Sequence, residues 1–255
     1  MKKSFALLFA VLALPAFAQM GSPPGGGGNL NNVMDELVGN NPVFSATMLT
    51  TISSPGGSMN STSKMFYNHG TSRMEMNMAD VQGSGVPPGA ADQAKAMGMD
   101  QVVVISPVNH TNVYTIYPNL HCYLSAPPPV PDAGTNNFSI KKTKVGSDTV
   151  EGHPCDKNDV TVISNGQTNE ITVWNATDLN NFPVQIEMAD RGVSATMSFQ
   201  NVSFQPVSAS MFQPPSDYKR YDSPDDLLKA VFANRMGGAG GAPATPSTPP
   251  PPPTQ

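Results

Sequence analysis

The chain has 255 residues, of which 13% are charged, and a formal net charge of −5 at pH 7. So acidic and sparsely charged a chain lacks the basic footprint that nucleic acid or anionic headgroups require, so no nucleic-acid partner is expected. No stretch approaches the roughly 20 apolar residues of a transmembrane helix, and no integral membrane segment is expected.

Lys2 and Lys3 lead into an apolar run from Phe5 to Leu14, broken by Pro15 and followed by Ala16-Phe17-Ala18. This reads as a secretory signal peptide over 1–18. Its removal takes away two lysines and no acid, leaving 12 basic against 19 acidic residues and a charge of −7. The expected location is periplasmic or secreted, and no cysteine follows the cleavage site to carry a lipid anchor. Residues 19–28 (QMGSPPGGGG) form a Gly/Pro-rich linker, and 237–255, ending in PPPPPTQ, a proline-rich tail. Both lack the apolar content to offset the entropy of ordering. Between them, 29–236 has the length of one domain.

Leu30, Val33, Met34, Leu37 and Val38 recur at helical spacing, with Gly39 as the stop. From Phe44 onward the period is two: Phe44, Ala46, Met48 and Ile52 alternate with mostly polar neighbours, which predicts a half-buried strand. Asn68-His69-Gly70-Thr71 reads as a tight hairpin turn. It leads into RMEMNM (73–78), where Met74, Met76 and Met78 are predicted to share one strand face and Arg73, Glu75 and Asn77 the other. AADQAKAM (90–97) has the makings of a short helical flap, and QVVVIS (101–106), apolar on both faces, of a central strand.

Further along, Lys141-Lys142-x-Lys144 marks a solvated strand face. Trp174 ends a strand before the NATDL turn, as a core plug or at a cleft mouth. Val184, Ile186 and Met188 alternate, as do Val193, Ala195, Met197 and Phe199. The apolar parity then switches before Val202, which predicts a bulge near Gln200-Asn201. A closing helix is announced by Ser223 as cap, Pro224 at its first position, and Asp225 and Asp226 in its first turn. Its apolar face carries Leu227, Leu228, Val231, Phe232 and Met236. The fold class is therefore mainly β (α+β): one long, mostly antiparallel sheet that must curl, with two or three short helices available to cover its inner face.

KMFYNHGTSRMEMNM, VYTIYPNLHCYL, VEGHPCDK, WNATDLNNFPVQIE and MFQPPSDYKRY, in that order, resemble an exported bacterial domain family of unassigned function. That family is similar to the LolA/LolB lipoprotein-carrier group and other periplasmic lipid-handling proteins. The resemblance spans most of 43–221. It implies a curved antiparallel half-barrel whose apolar concave face, partly closed by helices, forms a cleft for an acyl chain or another hydrophobic ligand. The insertion at 83–99, the acidic charge and the proline tail depart from the dedicated lipoprotein carrier, so cargo and partner do not carry over.

The expected cleft lining is Phe44, Met48, Met74, Met76, Met78, Trp174, Ile186 and Met197. Methionine at such positions serves plain core packing, an adaptable lining, or a soft Cu(I) site. His121-Cys122 and His153-x-Cys155 are soft-ligand doublets, but adjacent residues on a strand face opposite sides, which weakens a shared metal. For two cysteines in an exported protein, a Cys122–Cys155 disulfide is the simpler expectation. There is no nucleophile elbow, zinc-protease helix or phosphate-cradling glycine loop, so the reading is non-enzymatic, without catalytic residue, cofactor or resident metal. Three functions stay open: a hydrophobic-ligand carrier, a structural scaffold of the cell envelope whose tail reaches an envelope protein partner, and a copper-binding protein.

Overall fold

The structure is a computed structural model that describes residues 36–39, 41–108, 112–127, 138–164, 167–190 and 192–237. His69 and Gly70, at φ 46° and 83°, join β2 (Gly57–Asn68) to β3 (Thr71–Asn77). Positive φ at both central residues matches the right-handed twist of the flanking strands. Glu151 and Gly152, at φ 52° and 84°, do the same between β7 (Phe138–Val150) and β8 (His153–Ser164).

The strands form one twelve-stranded sheet, and it is laid down in two wings. From β1 (Val43–Ser54) the chain runs outward through β2, β3, β4 (Gln101–Ser106) and β5 (Val113–Tyr117) to β6 (Cys122–Ala126). It resumes at the opposite edge with β7. It then returns through β8, β9 (Gln167–Ala176) and β10 (Phe182–Asp190) to β11 (Val193–Ser203), which pairs with β1. These pairings are antiparallel. The exception is β12 (Lys219–Tyr221), which adds to β6 in parallel. The result is a curved half-barrel covered on its concave face by short helices, as the sequence implies, with this one parallel edge as the departure.

The expected bulge is present. Ser45 pairs with Ser203 but Thr47 with Gln200, and Asn201 takes a φ of 53°. One extra residue restores Val202 and Phe204 to the apolar face, and it bends the sheet where its two wings meet. β3 spans only seven residues, so the distal half of β2 needs another partner. Asn60 exchanges backbone hydrogen bonds with Gln82 (2.7 and 2.8 Å), and the Gly85 amide donates to the Ser58 carbonyl. Gly83, at φ 133°, lies so close that a Cβ there would overlap the Ser58 carbonyl. Only glycine fits, and the Gly/Pro-rich stretch is thereby fastened to the sheet.

Three helical pieces sit on the concave face. Leu37 and Val38, from the turn at 36–38, enter the main core with Phe44, Tyr67, Phe182 and Phe199. The rest of the first expected helix, Leu30 to Met34, lies outside the described residues. α1 (Ala90–Ala96) packs Ala94 against Met78 and Val81. α2 (Pro224–Gly237) packs Leu227 and Val231 on Val102, Tyr117 and Cys122. As read from sequence, Ser223 caps α2: its Oγ accepts from the Asp226 amide at 3.2 Å.

The opposite face of β4 and β5 carries a second core of Val103, Ile105 and Ile116. Tyr218, from the segment following β11, packs against it, and Arg73 Nη1 donates to the Met211 carbonyl at 2.7 Å. β4 is therefore buried on both sides, as a strand apolar on both faces should be.

Two expectations are corrected here. Met78 is not on the β3 stripe. The strand ends at Asn77, whose side chain accepts from the Ala79 amide at 2.9 Å and starts a 3-10 turn over Met78–Asp80. Met78 is buried under α1 instead. The expected Cys122–Cys155 disulfide is also absent: both thiols are free and buried. β6 and β8 have eight strands between them in the sheet. With neighbours about 4.8 Å apart, that places the cysteines far beyond the roughly 7 Å Cα limit of a disulfide.

Candidate functional site

The concave face is assembled by register. On β1 it takes Phe44, Ala46, Met48, Thr50 and Ile52, opposite Tyr67, Met65, Ser63, Ser61 and Met59 on β2. Met65 faces Met74 and Ser63 faces Met76 on β3, which in turn face Val104 and Val102 on β4. On the other side Met48 faces Phe199, Thr50 faces Met197 and Ile52 faces Ala195. Met197 then faces Ile186 on β10. No Asp, Glu, Lys, Arg or His occupies any of these positions. The charged residues of β3, Arg73 and Glu75, alternate to the convex side, where they pair at 2.8 Å.

Burial divides this face into two regions. Toward β9–β11 it is closed: Phe44, Phe182 and Val173 are 0% exposed, and Phe199 and Ile186 1%. Phe182 is the centre of that packing, edge-on to Phe44 at 4.8 Å, Phe199 at 5.7 Å and Phe204 at 5.8 Å. Over β1–β3 it is open: Met48, Met59, Met65, Met74 and Met76 are all half-buried. Met48 and Met65 border the aromatic core, while Met59 and Met76 border the α1 cluster. Val104 borders the α2 cluster. The five methionines thus form an uncharged, partly exposed patch bordered by the clusters of the three helical pieces on this face.

The expected lining residues separate accordingly. Met48, Met74 and Met76 come together in the patch. Phe44, Ile186 and Met197 lie on the same concave face but within the closed region. Met78 lies under α1. Trp174 pairs with Lys157 and Gln185, out of phase with Val173, so strand alternation takes it off the methionine face, and it is buried within the main core cluster. There Lys157 Nζ covers its ring at 5.0 Å. Its indole Nε1 is buried and finds no hydrogen-bond partner among the described residues.

Met59 and Met65 complete the patch and were not among the expected residues. Their signal is hidden in β2, where serines hold the alternate positions and Phe66 interrupts the apolar parity.

Among the described residues no three His, Cys, Asp or Glu side chains gather as a metal-holding group, and no helix is long and apolar enough to cross a membrane. Burial raises both thiols above the usual cysteine range, most strongly opposed at Cys122 by Lys219 and at Cys155 by a backbone hydrogen bond. Both are protonated and unreactive at neutral pH. Burial, helped by Cys122, pushes the Tyr117 phenol up to about 12.

No family model and no curated protein matches the chain. Among solved structures, it is similar to the lipoprotein LppX of Mycobacterium tuberculosis, with 9% identity over 70% of this chain and 97% of that one, at a TM-score of 0.40. LprF of Mycobacterium bovis aligns with 13% identity over 74% of this chain and 96% of that one, at 0.37. A LolA superfamily protein of Nitrosomonas europaea aligns with 8% identity over 71% and 94%, at 0.32.

Proposed function

We propose that the protein binds an acyl chain or a similar hydrophobic ligand on the methionine patch, without catalysis, and that it does so outside the cytoplasm after export. The observation that supports this reading is the patch itself: five half-buried methionines at positions on β1–β3 that carry no charged neighbour on that face, beside the sealed aromatic core. An apolar surface framed by helices is the usual setting of a ligand groove. Methionine, with three soft torsions, suits ligands of varied shape.

The magnitudes agree with a carrier that must release its cargo. Burying about sixteen methylenes at about 0.8 kcal/mol each returns on the order of 12 kcal/mol. Association costs about 4–15 kcal/mol, so net binding is weak to moderate. No charged anchor is required.

The test is titration with a fluorescent long-chain fatty acid. Met74→Asp puts a carboxylate in the middle of the patch and abolishes uptake, whereas Met211→Asp on the convex side does not. Equal uptake by a folded Met74→Asp protein sinks the reading. The closed half of the concave face, with Phe44 and Ile186 sealed, favours a second reading: an envelope scaffold filled by its own side chains. Native mass spectrometry separates the two, since a scaffold emerges free of lipid.

A further inference from the structure

Thioether sulfur has a chemistry beyond its apolar bulk. We infer that Met65, Met74 and Met76 form a three-sulfur site for a soft monovalent cation, Cu(I), with Met48 at its margin. Along β3 alone the stripe offers two sulfurs, because Met78 has left the strand. The hairpin supplies the third, since Met65 stands directly opposite Met74 and diagonal to Met76.

Counting outward from the two-residue turn, 68–71 is the hydrogen-bonded pair that closes it, and 65–74 and 63–76 are non-hydrogen-bonded pairs. Such pairs bring side chains closest together. Directly opposed Cβ atoms lie about 4.5–5.5 Å apart and diagonal ones about 7–8 Å. Flexible methionine side chains close such gaps onto one ion. Ser63, opposite both Met76 and Met48, is small enough to leave the space between them clear.

The donor set selects the ion. Among the described residues, the patch positions on β1–β3 carry no Asp, Glu, His or Cys, so hard divalent cations find no ligand among them, while neutral thioethers suit Cu(I). Val102 and Val104, opposite Met76 and Met74, wall the site on its β4 side with hydrocarbon. The three methionines are half-buried residues on paired strands of the sheet.

The site does not depend on the acyl reading, because the metal is titrated on lipid-free protein. Full-length mature protein is incubated anaerobically with Cu(I) and ascorbate, then challenged with a chromophoric Cu(I) chelator. One equivalent is retained, and its X-ray absorption shows sulfur neighbours only. Leucine keeps the volume of methionine and removes the sulfur. Met65→Leu, Met74→Leu and Met76→Leu each therefore weaken retention by about tenfold or more, the least a lost ligand should cost. Met211→Leu, on the convex side, retains the ion. Circular dichroism verifies the fold of each variant, and any one folded member of the series decides the matter. Failure of the wild-type protein to hold Cu(I), full retention by a folded Leu variant, or equal loss in Met211→Leu overturns the site.

Discussion

Met65 on β2 and Met74 on β3 face each other directly across a hairpin, on the concave side of the sheet and both half-buried. Each borders a different neighbour: Met65 the aromatic core, Met74 the strand β4. A ligand lying along the patch touches both, which makes their effects on binding interdependent. Met65→Ala and Met74→Ala each weaken binding of a fluorescent fatty acid. The double variant departs from additivity by about 0.5–3 kcal/mol, as residues in contact do. The measurement is a double-mutant cycle on probe Kd. Strict additivity would place the ligand elsewhere.

Phe182 is the structural counterweight to that open patch. It is 0% exposed and meets three other aromatic rings. Phe182→Ala removes all three contacts and leaves a cavity, at a cost of about 3–5 kcal/mol. Urea denaturation followed by the single tryptophan checks this, with an unchanged slope and a lower midpoint expected. A midpoint within error of the wild type would mean the wing repacks freely.

Much of this arrangement was legible in the chain. The turn at His69-Gly70 fixes register as well as position: once Asn68 pairs with Thr71, Met65 must meet Met74 and Ser63 must meet Met76. The bulge near Asn201 and the Ser223 cap were likewise written in local chemistry. Met78 was misread because period two was extended one residue too far, past an asparagine whose side chain starts a turn. For Trp174 the chain left two readings open, and the pairings with β8 and β10, which only tertiary structure supplies, put it in the buried main core and off the methionine face. The cysteines carried no such information at all. Their separation follows from the two-wing order of the sheet, which only tertiary structure supplies.

That separation has a direct solution consequence. With Cys122 and Cys155 free and buried, dithiothreitol leaves the Tm unchanged. Ellman's reagent reads no thiol in the native protein and two per chain in guanidinium. A reductant-dependent fall in Tm, or fewer than two thiols after denaturation, would contradict the strand order.

Tyr117 ties the α2 cluster to pH. It is buried with Met99, Val102 and Leu227, directly opposite Cys122, and its phenol is raised from 10.0 to about 12. The folded state therefore holds this proton more tightly than the unfolded chain does. The sign follows: the contribution is fully present below pH 10 and is lost as pH rises from 10 to about 12, because only the unfolded chain ionises in that window. Two pH units correspond to on the order of 2–3 kcal/mol. The Cys122 and Cys155 thiols, also raised by burial, add loss of the same sign. Urea midpoints measured between pH 8 and pH 12 should fall steeply above pH 10 in the wild type. Tyr117→Phe should flatten that fall without steepening it elsewhere. An identical alkaline slope in Tyr117→Phe would show that the phenol is already solvated, and that α2 does not seal the edge of the sheet.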